Sequence, residues 1–217
     1  MQRRNFLGLA TASALLGGCA NSVAGRTLST AFETSFGNAS SFDPDYPDKL
    51  PYASMAVSIR NSRKALLVLA KVDQGELHWM SADRGVFVTR NGRLVRTVGM
   101  PENLVGTEFL GVDFFEERGV PSASSSSRKR LIDIAPGNRF GMVVEASLSH
   151  GPKEVVRINK RQYETVRLVE TCVVPQLSWE FQNTYWMDGQ GMIWKSIQHT
   201  VQGAPAIEME VTKPASV

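Results

Sequence analysis

One stretch leaves the chain little choice of structure: Val86-Phe87-Val88-Thr89-Arg90, then Asn91-Gly92, then Arg93-Leu94-Val95-Arg96-Thr97. Runs rich in β-branched and aromatic residues flank an Asn-Gly pair. That pair accepts the two positive φ angles of a type I′ turn, and the twist of this turn matches that of paired strands. The same grammar recurs along the chain. Met55, Val57 and Ile59 alternate with small or polar residues, which predicts a strand buried on one face. Ala65 to Ala70 is a continuous apolar run, as in a strand covered on both faces, and Asn61 to Lys64 before it is a polar turn. Further strands are expected around Leu77 and Trp79, and over Phe140–Leu148, Val155–Ile158, Tyr163–Val174, Trp179–Trp186, Met192–Thr200 and Ile207–Val211, where the acidic positions should face water.

Pro101 to Gly111 is less regular and is expected to hold a short helix. Gly119 to Arg130 is low in complexity and ends in Arg128-Lys129-Arg130. It reads as a solvated loop rather than a domain linker, because strands continue in the same style on both sides. The basic triplet could also touch anionic sugar or lipid headgroups. Short strands, frequent turn residues and little helix predict an all-β fold, an antiparallel β-barrel or sandwich of about ten strands.

The first residues read differently. Arg3 and Arg4 precede eleven mostly apolar residues, Phe6 to Leu16, and Gly17-Gly18-Cys19 follows. A helix spanning the membrane needs about 20 apolar residues, whereas a signal peptide uses about 7–15. Leu16-Gly17-Gly18-Cys19 looks like a bacterial lipobox, in which the thiol takes a diacylglyceryl group before cleavage; the alternative is a buried N-terminal helix with an incidental cysteine. Arg3-Arg4-Asn5-Phe6-Leu7 resembles a twin-arginine export motif, although the general secretion route also uses a positive start. The expected division is a signal peptide over 1–18, a lipidated N-terminus and tether over 19–30, with the lipid as membrane anchor, and a single β domain over 31–217.

Removing residues 1–18 from the 217 leaves 199, enough to sustain a core. Lys and Arg number 24 against 21 Asp and Glu, and loss of Arg3 and Arg4 brings them near balance, so nothing calls for nucleic acid. With Cys19 lipidated, Cys172 has no disulfide partner and reads as a buried small hydrophobe. His78, His150 and His199 are too far apart in sequence for a local metal site, His78 being expected on the outer face of a strand. No cofactor-binding or nucleophile-elbow motif is present.

Two constellations bear on function. Trp179, Tyr185, Trp186 and Trp194 gather around one predicted hairpin, either as core or as a groove for a sugar or a partner. An enzyme with acid and base groups would instead need carboxylates from distant strands, such as Asp83, Asp113 or Asp133, in one pocket.

The lipobox, Pro51-Tyr52-Ala53-Ser54-Met55, Ala65 to Ala70, Trp79-Met80-Ser81-Ala82-Asp83, Asn91-Gly92-Arg93, the hairpin from Tyr185-Trp186-Met187-Asp188 to Gly191-Met192-Ile193-Trp194-Lys195-Ser196, and Lys213-Pro214 together resemble the YjbF/GfcB lipoprotein family. The resemblance covers about residues 30–214 in order and spacing. It implies a lipoprotein of mainly β structure at the outer membrane, facing the periplasm and accessory to capsule or exopolysaccharide secretion. The implied partners are the polymer or polysaccharide-export proteins. It carries no catalytic residues onto this chain; the one functional position it transfers is Cys19, followed by Ala20, which favours passage to the outer membrane. An interaction scaffold that never touches sugar is the rival within this reading.

Overall fold

The computed structural model describes residues 45–59, 63–116, 119–122 and 127–215. The expected signal peptide with Arg3 and Arg4, Cys19, the tether and the centre of the Ser-rich segment lie outside these residues. Among the described residues twelve antiparallel strands form one sheet. They are β1 (Ser54–Ile59), β2 (Ala65–Asp73), β3 (Glu76–Met80), β4 (Val86–Arg90), β5 (Arg93–Val98), β6 (Asn103–Phe109), β7 (Arg128–Ala135), β8 (Arg139–Ile158), β9 (Arg161–Val174), β10 (Trp179–Met187), β11 (Ile193–Gln198) and β12 (Ile207–Lys213). Among the described residues helix is limited to one turn, Tyr46–Lys49, opened by Pro47, and a 3₁₀ turn, Pro175–Leu177.

The hydrogen-bonded order runs β5-β4-β3-β2-β1-β12-β11-β10-β9-β8-β7-β6. Every neighbour is a chain neighbour except β1 and β12, so the termini of the sheet-forming chain meet in its middle. The two edge strands, β5 and β6, face each other and nearly close a barrel. Their seam is held by side chains. Leu104 N–H donates to Thr97 Oγ1 (3.0 Å), Thr107 Oγ1 donates to the Val95 carbonyl (3.1 Å), and Asn103 bonds both backbone groups of Met100. Each edge thus finds partners for groups that an open sheet would leave unpaired.

The barrel form is one of the two expected, with twelve strands against about ten. One added strand is β6, where the sequence suggests a short helix. Its segment Asn-Leu-Val-Gly-Thr-Glu-Phe buries only Leu104 well, so its alternation is faint. The second is β7, which begins at Arg128. The basic triplet is therefore strand rather than solvated loop, and Arg130 is buried against an ion partner. The two strands expected over 140–148 and 155–158 are one continuous β8, whose pairing with β9 shifts register between His150 and Lys153. Such a shift bends a strand without ending it. On β2, Ala65 and Leu67 are buried while Leu66, Val68 and Leu69 are half-buried and Ala70 exposed, so its outer face is not fully covered. Glu210 on β12 does not face water: Lys64 and Lys195 pair with it and cover it.

The apolar interior falls into two clusters. Met55, Val57, Leu67, Trp79, Phe87 and Leu94 form one under β1 to β5. Leu104, Ile134, Leu168, Phe181, Tyr185 and Ile193 belong to the other under β6 to β11, together with Phe114 and Phe115 from the β6–β7 connection. The Asn91-Gly92 turn has φ +49° and +78°, as its sequence predicts.

Candidate functional site

Charged groups inside the barrel are paired with one another. Arg93 of β5, 1% exposed, grips Asp113 through Nε and Nη2 (3.1 and 2.9 Å) and donates from Nη1 to Glu170 of β9 (2.8 Å) and to the Tyr185 hydroxyl (3.1 Å). Arg130 of β7 donates to the other Glu170 oxygen at 2.9 Å, and Asn183 of β10 donates to Glu170 at 2.9 Å. Gln198 of β11 accepts from Leu94 N–H and donates to the Gly92 carbonyl (both 2.9 Å), tying β11 to the inner edge of the β4–β5 hairpin. Two cations meet two carboxylates, so burial leaves no net charge. Burial alone would raise the Glu170 carboxyl. The neighbouring Arg130 and Arg93, with hydrogen bonds from Arg93 and Asn183, instead hold it well below the usual carboxylate range.

Such saturation is what a structural network needs. Cys172 lies beside it, fully buried, with Arg130 Nη2 3.6 Å from its sulfur. Burial, reinforced by the Glu170 charge, pushes its thiol up to about 12. At neutral pH it should resist alkylation of the native protein and react on unfolding, a difference that mass spectrometry after iodoacetamide reads directly; rapid labelling of the native chain would contradict the burial.

The three carboxylates an enzyme might have gathered lie in three settings. Asp113 is consumed by Arg93, Asp133 accepts from Gly141 N–H on the neighbouring strand, and Asp83 is exposed in the β3–β4 turn. Among the described residues no group of three or more His, Cys, Asp or Glu is arranged to hold a metal ion. His78 is half-buried, near Glu76.

The four aromatic residues are divided by strand alternation. Trp179 and Tyr185 point inward: Trp179 stacks on Phe181 with centroids 4.0 Å apart, and Tyr185 is wholly buried. Trp186 and Trp194 lie on the outer face. Trp186 donates from Nε1 to Glu154 of β8 (2.7 Å), with the Lys195 ammonium 5.6 Å from its ring centre. Trp194 donates to Asp188 (2.8 Å) and stacks on Tyr163 of β9 at 3.7 Å. Glu154 and Tyr163 both come from the far half of the β8–β9 hairpin, which therefore folds over the outside of β10 and β11. Lys160 and Arg161 at its tip pair with Asp45 and Asp48 of the one-turn helix region. The four aromatics do not form a single groove.

Open space lies at one barrel mouth. The strand registers bring the β2–β3, β4–β5, β8–β9 and β10–β11 turns and the β6–β7 connection to the same end. Two cavities flank the β10–β11 turn there. One, about 420 Å³, is walled by the β8–β9 hairpin with Lys153, Val155 and Glu164 and reaches Gly189. The other, about 410 Å³, lies among Val72, Leu77, Asn91, Glu116, Gln190 and Met192. Both fall in the size range of small-molecule sites. Between them Gly119 and Gly191 touch backbone to backbone: a Cβ on Gly191 would stand 2.9 Å from the Gly119 nitrogen. Apart from the Asn91-Gly92 turn, none of these mouth residues stands out in the sequence, because they belong to turns far apart in the chain. The glycines alone leave a local trace.

A family model described as "Group 4 capsule polysaccharide lipoprotein gfcB, YjbF" matches residues 25–212. Two proteins of Escherichia coli strain K12 are related in sequence. The uncharacterized lipoprotein GfcB is 30% identical over 171 residues, covering 76% of this chain and 78% of that protein. The uncharacterized lipoprotein YjbF is 25% identical over 151 residues, covering 69% and 70%. The crystal structure of the hypothetical lipoprotein YmcC, also from Escherichia coli K12, superposes with a TM-score of 0.70 at 25% identity, over 85% of this chain and 95% of that one.

Proposed function

This chain belongs to the YjbF family of group 4 capsule polysaccharide lipoproteins, and we propose that it is an outer-membrane accessory of capsule or exopolysaccharide secretion. It is held by lipid on Cys19, faces the periplasm, and engages polymer or the export machinery without doing chemistry on it. The family match over residues 25–212 carries this reading. The lipobox sequence supports the anchor. A non-catalytic role is consistent with the saturated interior network and the dispersal of Asp83, Asp113 and Asp133.

Deletion of the gene is expected to lower surface and secreted polysaccharide, with wild type restoring it and Cys19→Ser failing to do so. The same Cys19→Ser protein should leave the membrane fraction or stay unprocessed. Unchanged polymer in amount, length and location in the deletion strain would overturn the secretion reading. Full lipid labelling of Cys19→Ser would overturn the anchor. Replacing Arg3 and Arg4 together by Lys should block export if the twin-arginine route is used.

A further inference from the structure

We propose that the two cavities at the barrel mouth are halves of one site for a polyhydroxylated sugar chain, laid across the saddle where Gly119 meets Gly191. This rests on the secretion reading above and specifies where and how the polymer is held. The turn of residues 188–192 divides the space: Gly189 lines one lobe, Gln190 and Gly191 the other. The saddle is low because it is made of backbone. Glycine stands at 119, 189 and 191, and a side chain on Gly191 would strike the opposite main chain.

The lining chemistry selects the occupant. Lys153 and Glu164 are diagonal neighbours across β8 and β9, since Lys153 pairs with Val166 and Val155 with Glu164. Among the described residues neither side chain has an ion-pair or hydrogen-bond partner. The second lobe adds the Asn91 and Gln190 carboxamides and Glu116, whose charge is answered by Arg90 at 3.8 Å, around the apolar Val72, Leu77 and Met192. An acyl chain would strip water from these polar groups and offer nothing in return. A single-sign polyelectrolyte would find an ammonium and a carboxylate side by side. Hydroxyl groups donate to Glu164 and accept from Lys153 and the carboxamides, while C–H faces lie against the apolar side chains. A chain that fills both lobes gains the second contact at high effective concentration.

The test uses the mature lipoprotein in detergent and the host's own surface polysaccharide, partially hydrolysed and sorted by length. Affinity should rise steeply once the oligosaccharide is long enough to enter both lobes. Lys153→Met and Glu164→Gln in one lobe, and Gln190→Ala in the other, should each weaken the long oligosaccharide by about tenfold, as loss of one charged or buried hydrogen-bonded contact does. Short fragments should respond to one lobe only. These positions are not buried, so melting temperatures should stay at the wild-type value. Length-independent affinity, or long-chain binding indifferent to all three variants, would overturn the site. If the deletion strain loses polymer while the three variants restore it and bind normally, the composite site fails and the secretion role stands. If the deletion strain secretes normally and the protein retains no polysaccharide, both fail. Retention of an acyl amphiphile or a partner protein at the mouth, abolished by these same variants with no sugar bound, would also overturn it.

Discussion

Glu170→Gln is expected to lower the unfolding free energy by about 3–5 kcal/mol, the usual cost of removing one partner from a buried ion pair. For a domain of this size that corresponds to a fall of roughly 10 °C in melting temperature. The substitution preserves volume and removes charge. Arg93 would keep Asp113, but Arg130 has its bonds to Glu170 and the Cys172 sulfur and would remain buried without a counter-ion. Glu170→Gln combined with Arg130→Met should therefore cost less than the two single changes added together, because the second removes the stranded charge. The pH dependence has a defined sign. The native Glu170 carboxyl lies below its ordinary value of 4.5, so its contribution is complete above that value. It declines as pH falls below 4.5 and vanishes only when pH passes the depressed native value. The gap in melting temperature between wild type and Glu170→Gln should be full at neutral pH and narrow progressively in acid. A gap below about 2 °C at neutral pH, measured by calorimetry, would show that the network contributes little.

Gly92→Ala should be the next most damaging of the changes considered, at about 2–4 kcal/mol from backbone strain and overpacking together. Gly92 has φ +78°, which disfavours any L side chain, and its Cβ would stand 2.7 Å from Ile193 Cβ and 2.8 Å from Ile193 Cδ1. The Cβ of Ile193 moves only with the β11 backbone, so a rotamer change cannot relieve the collision. Gly75 separates the two causes. It has φ +83°, and a Cβ there would meet nothing within 4 Å, so Gly75→Ala should cost only the strain, about 1–2 kcal/mol. Equal losses for the two variants, by urea denaturation, would remove the close approach from the explanation. Gly92→Val should be worse than Gly92→Ala for the same reason.

Much of the barrel is legible locally. The Val86–Thr97 hairpin follows from residues that are neighbours in sequence, because a type I′ turn and period-two alternation need no distant information. β6 escapes a local reading because Gly106 and a single well-buried Leu104 blur the alternation. Arg130 and Glu210 look solvated in sequence because their neutralising partners come from other strands or turns, 40 residues away for Arg130 and 146 and 15 residues away for Glu210. A charge is buried only when a counter-charge arrives, and pattern alone does not show the arrival.

The candidate site divides in the same way. The aromatic hairpin is visible in sequence, yet strand alternation sends Trp179 and Tyr185 inward and Trp186 and Trp194 outward. Asn91 is legible only as a turn residue, and the mouth residues Lys153, Glu164 and Gln190 carry no motif, since turns from distant parts of the chain build the mouth. By itself, then, the sequence determined that this is an antiparallel β protein, where most of its strands and its tightest turn lie, and which family it resembles. These depend on interactions between near neighbours or on order along the chain. The tertiary structure alone decided that β5 and β6 meet to close a barrel, that Arg93, Asp113, Arg130 and Glu170 neutralise one another inside it, and that two cavities share one mouth. Those outcomes depend on strand register and on contacts between distant segments, which no local run of residues contains.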